Sequence, residues 1–81
     1  MPKESNIVHQ YFRKELKDVT ILLRVNPIQF KGMEITLPKD GSEPSVRELE
    51  LDQSIFEDLK ADEFVDASPL EFNLYYSGLA G

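Results

Sequence analysis

The stretch from Val19 to Val25, reading Val-Thr-Ile-Leu-Leu-Arg-Val, constrains the fold of this chain more than any other. Its β-branched residues and period-two alternation favour a strand over a helix. In extended form Val19, Ile21, Leu23 and Val25 share one face, while Thr20, Leu22 and Arg24 share the other. One face is wholly apolar and the second still carries a leucine. A strand that must bury both faces belongs inside a sheet rather than at its edge.

Around this strand the remaining segments fall into a small set. Residues 3–17 read as an amphipathic helix: Ile7, Val8, Tyr11, Phe12 and Leu16 gather on one arc, and Lys3, Asn6, Gln10, Arg13, Lys14 and Lys17 on the other. Asn26-Pro27 ends the central strand, because proline lacks the N–H an inner strand needs. Ile28-Gln29-Phe30 resumes alternation, and Met33, Ile35 and Leu37 continue it on one face. Lys31-Gly32 between them reads as a hairpin turn or a bulge, with the bulge favoured because Lys-Gly is a weak turn signal. Pro38 to Ser45, with two prolines and an Asp-Gly, is a solvated loop. Val46 to Leu51 alternates cleanly and should pair antiparallel with 33–37 across that loop. Ser54 and Glu57 have capping-box spacing and should open a helix reaching about Asp62. Leu70, Phe72, Leu74 and Tyr76 alternate as the buried face of a last strand, followed by a loose tail over 77–81.

The expected architecture is therefore α+β: about four strands in an antiparallel or mixed sheet, two helices on one face, in the order α-β-β-β-α-β. A chain of 81 residues allows a single small domain over 1–81.

Composition narrows the chemistry. The chain has no cysteine, which excludes disulfides, zinc–thiolate sites, iron–sulfur clusters and cysteine nucleophiles. Small secreted domains usually depend on disulfides, so a cytoplasmic location is expected. The polar opening Met1 to Asn6 lacks the apolar core of a signal peptide, and no apolar run is long enough to span a bilayer.

Charge is distributed unevenly. Residues 1–31 carry net +3 and residues 32–81 net −9, within a total of −6. The cations Lys3, Arg13, Lys14 and Lys17 form the polar stripe of the expected first helix, where they could meet an acidic protein surface or phosphates. No aromatic RNA-binding motif and no glycine-rich phosphate loop accompanies them. Eight carboxylates crowd residues 48–66: Glu48, Glu50, Asp52, Glu57, Asp58, Asp62, Glu63 and Asp66. They lack the EF-hand spacing and read as a solvated face, or as a docking surface for a basic partner. His9 is the lone histidine, and none of the six serines sits in a G-x-S-x-G elbow.

No catalytic, cofactor-binding or metal-ligating residue is therefore assigned. The expected function is a non-enzymatic protein-interaction module, associating with a protein partner or with a second copy. The residues expected to make that contact are Lys3, Arg13, Lys14, Lys17 and Tyr75, the last as an exposed aromatic anchor. Nucleic-acid binding through the basic stripe and a role as an enzyme subunit are the two alternatives.

Overall fold

The computed structural model describes residues 8–80, without side chains beyond Ser77. Its elements are β1 (Gln10–Glu15), β2 (Val19–Asn26), β3 (Lys31–Pro38), β4 (Ser45–Glu50), α1 (Ile55–Ala61), β5 (Val65–Asp66) and α2 (Pro69–Ala80). The sheet has five strands in the order β4-β3-β2-β1-β5, and every pairing is antiparallel. The class is α+β, as expected. The element order and the strand count differ from expectation.

The central strand lies where its two apolar faces require it. β2 has neighbours on both sides, and Leu22, Leu23 and Val25 are all buried. Each such side chain contributes about 1.5–3 kcal/mol relative to exposure. Register then sorts the sheet into two faces. Tyr11, Leu22, Met33 and Ile35 lie on one, and Phe12, Leu23, Val25 and Leu49 on the other.

Three expectations are corrected. The first concerns the helix over 3–17. Residues 3–7 fall outside the described part, and residues 10–15 are strand β1, paired along its whole length with β2. Adjacent Tyr11 and Phe12 suit a helical arc, but in a strand they serve opposite faces, and both faces here have a core to join. The tight turn over 16–18, closed by the Leu16 N–H donating to the Val19 carbonyl at 2.8 Å, also fits a hairpin.

The second concerns Lys31-Gly32, which is neither turn nor bulge but the start of β3. The reversal occurs one step earlier, over Pro27 to Phe30. The Asn26 side chain accepts N–H bonds from Ile28 and Gln29, and Phe30 closes the loop at φ 55°. Gly32 lets Leu51 pack closely: a Cβ there would lie 3.0 Å from Leu51 Cδ1, and that side chain would have to shift.

The third concerns residues 70–76, which form helix α2 rather than a strand. Alternation over Leu70, Phe72, Leu74 and Tyr76 mimics a strand, but Phe72 and Tyr76 are also four apart. Only these two reach the core, while Leu70 and Leu74 point outward. The start signal is plain in retrospect: Ser68 Oγ accepts the Leu70 N–H at 3.0 Å, Pro69 occupies the first turn, and Glu71 completes capping-box spacing. Ser77 to Ala80 continue this helix instead of forming a loose tail, and Gly81 falls outside the described residues.

The two helices consequently sit on opposite faces of the sheet, not on one face as expected, because both faces of β2 are apolar and each needs a cover. α2 packs Phe72 against Leu22 and Ile35, with Tyr11, Met33, Leu37 and Tyr76 around them. α1 packs Leu59 against Leu23 and Val25, with Phe12, Leu49, Leu51, Ile55 and Phe64 around them. α1 begins where its capping spacing placed it, although Ser54 donates its hydroxyl to Asp52 and Asp58 rather than capping the backbone.

Candidate functional site

The residues expected to bind a partner do not form one surface. Lys3 lies outside the described residues. Arg13 and Lys14 are consecutive on β1, so their side chains leave opposite faces of the sheet. Arg13 is engaged within the fold: its guanidinium pairs with Glu15, and its Nε lies 3.6 Å from the Glu71 carboxylate on α2. Lys14 sits 5.7 Å over the Phe64 ring on the other face. Lys17 is exposed in the β1–β2 turn. Tyr75 lies on the flank of α2 and is 41% exposed.

Among the described residues, two depressions on the surface stand out. The first, about 370 Å³, lies where β2, β3 and β4 meet the Asn26–Lys31 hairpin. It is polar and mixed in charge, with His9, Arg24 and Lys31 facing Glu48 and Glu50 across Met33. The Arg24 guanidinium rests 5.4 Å from the Phe72 ring and 5.3 Å from the Tyr76 ring. Such contacts hold a partly desolvated cation with about 0.5–2 kcal/mol each. Partial burial, and then the charge of Arg24, keep the His9 imidazole below its ordinary pKa. The second depression, about 410 Å³, is apolar and lies between Phe12, Phe56, Leu59, Phe64 and Val65. It lies on the Leu23–Val25 face of the sheet, beside the seven-residue α1.

The crowded carboxylates separate into local tasks. Asp52 accepts the Ser54 N–H at 3.0 Å and its hydroxyl at 2.6 Å, and these bonds lower its pKa. Glu48 and Glu50 stand on β4, while Glu57 and Asp58 lie in the first turn of α1. Among the described residues no group of three or more histidines and carboxylates is placed to hold a metal ion. No helix among them is long and apolar enough to cross a membrane.

The sheet order leaves one long edge. Among the described residues β4 is paired only on its β3 side, whereas the β1 edge carries the two-residue β5. The other uncovered surface is the outside of α2. At about 100° per residue, Leu70, Asn73, Leu74 and Ser77 fall within one arc, and none carries charge. Leu70 is 77% and Leu74 71% exposed. The strand reading of this segment hid that surface by assigning both leucines to the core. The Ser68-Pro69-x-Glu71 start signal is what could have revealed it.

No family model matches the chain, and neither a curated protein nor a solved structure is similar to it.

Proposed function

We propose that this chain is a small, non-enzymatic, cytoplasmic protein-interaction module that associates with a second copy through the outer face of α2. The observation that supports this reading is the exposed pair Leu70 and Leu74 on a helix that is apolar on both sides. A helix with apolar groups all round is characteristic of a buried position, and here only the Phe72–Tyr76 side is buried. The choice of a second copy follows from charge and spacing. A protein of net −6 repels its own copies except through a neutral surface, and this arc is neutral. A two-fold axis across antiparallel α2 helices sets Leu70 of each copy against Leu74 of the other, an isologous contact with interdigitated four-residue ridges.

A contact built on four leucines is small, so the expected dissociation constant is about 0.1–1 mM. Sedimentation velocity over that concentration range tests it. The mass should rise towards two chains, persist in high salt and return to one chain in Leu70→Glu/Leu74→Glu, with the circular dichroism spectrum unchanged. A wild-type chain that stays monomeric at the highest concentration overturns the reading.

A further inference from the structure

A separate surface, independent of the α2 contact, supports an inference about a different partner. The Leu51 N–H donates to the Phe30 carbonyl at 2.9 Å, one step beyond the Lys31–Glu50 pair. In an antiparallel ladder, bonded and non-bonded pairs alternate. The bonded pairs are therefore Gly32–Leu49, Glu34–Arg47 and Thr36–Ser45. Val46, Glu48 and Glu50 consequently turn their backbone N–H and C=O groups away from β3, towards the open edge. Their side chains all lie on the face that α2 partly covers. Among the described residues the edge thus offers three pairs of unused backbone groups, each beside a side chain of known sign: apolar, acidic, acidic.

We propose that the β4 edge accepts an extended segment of a partner protein as a sixth strand, and that this segment is basic. In the antiparallel arrangement the incoming chain reads Lys/Arg-x-Lys/Arg-x-Val/Ile, with its residues set against Glu50, Glu48 and Val46 in turn. Main-chain bonds supply the affinity and the alternate side chains the specificity. Glu48 and Glu50 are exposed and make no ion pair among the described residues, so both carboxylates are available. Arg24 and Lys31 stand on the β2 and β3 side of the neighbouring depression, and the incoming cations lie on the outer side, away from them.

A second copy of the chain does not fit this edge. Two-fold pairing centred on Glu48 opposes Glu48 to itself, and pairing centred on Arg47 opposes Arg47 to itself. Centring on Leu49 sets Glu48 against Glu50, and centring on Val46 places Pro44, which has no N–H, at an outward ladder position. Edge charges and a nearby proline commonly guard a strand against its own kind. Here they leave the edge open to a partner of opposite charge.

The probe is a fluorescein-labelled peptide with the core Lys-Thr-Lys-Thr-Val, titrated with the full chain and read by anisotropy. Two backbone variants accompany it: one N-methylated on the second lysine, whose N–H faces Glu48, and one on the threonine before it, whose N–H faces solvent. Binding should weaken at least tenfold with the methylated lysine and survive the methylated threonine. It should also weaken at least tenfold against Glu48→Lys/Glu50→Lys, and the peptide should slow hydrogen exchange at residues 46, 48 and 50. Absence of binding overturns the proposal. So does equal binding of the two methylated peptides, which would reduce the effect to attraction between charges. Neither result bears on the α2 contact, which the leucine variants test separately.

Discussion

The two sides of this sheet are built from the same alternating strands, yet they are closed differently. On the α2 side a large aromatic, Phe72, is 1% exposed and is surrounded by Tyr11, Tyr76 and the Arg24 guanidinium. On the α1 side a single leucine of the helix, Leu59, is buried in the core, and an apolar groove stays open beside it between Phe12, Phe56 and Phe64. The twelve-residue helix seats a large aromatic and leaves the polar depression at Arg24 and Glu48 open, while the seven-residue helix seats a leucine and leaves an apolar groove open. The two sides therefore differ in the kind of surface left open rather than in the apolar content of the strands.

The largest expected effect follows from the side that seats the aromatic. Phe72→Ala removes the one α2 side chain among the described residues that is fully buried and should cost about 3–5 kcal/mol, measured by urea denaturation. Leu59→Ala should cost less, about 2–3 kcal/mol, because the adjacent groove lets Phe12 and Phe64 relax into the space. Equal losses would erase the distinction between the two sides. Next, Ser68→Ala removes the hydroxyl that accepts the Leu70 N–H and should cost about 1 kcal/mol. That loss should fall on the α2 side alone, visible as faster exchange in α2 with α1 unchanged.

The smallest effect is one of pH. His9 neighbours Arg24 on the α2 side, and its pKa is held below 6.5 by burial first and by Arg24 second. The unfolded chain thus takes up this proton at a higher pH than the folded one. The contribution is complete above about pH 6.5 and declines as the pH falls below that value. The urea midpoint should drop modestly between pH 7.5 and 5.5, and His9→Asn should flatten the drop. As this chain has one histidine, no second imidazole confuses the window. Glu15, lowered chiefly by its hydrogen bond from Lys39, loses its contribution only at lower pH, as the solution falls through the carboxylate range.

Strands whose alternation answered to a real pair of faces were legible. β2 had to be internal, β4 had to pair with β3 across a proline-rich loop, and α1 followed from Ser54 and Glu57. Two segments were illegible for the same physical reason. Tyr11-Phe12 and Leu70-x-Phe72-x-Leu74-x-Tyr76 each satisfy both a helical and an extended pattern, and what decides between them is a partner outside the segment itself. For β1 that partner is β2's second face; for α2 it is the pocket around Leu22 and Ile35. The contact surfaces inherited the error. A basic stripe needs a helix at Arg13 and Lys14, and outward leucines need a helix at Leu70 and Leu74.

The meander itself has a kinetic consequence. β1 to β4 join only neighbours in sequence, so each hairpin closes a short loop at little entropic cost. The pairs Phe12–Asp66 and Arg13–Val65 alone connect strands far apart in the chain. On that basis the four-stranded ribbon is expected to nucleate, with β5 and α2 docking on a surface already made. In stopped-flow kinetics, damage to α2 should accelerate unfolding and leave the folding rate nearly untouched, whereas damage to β2 should slow folding itself.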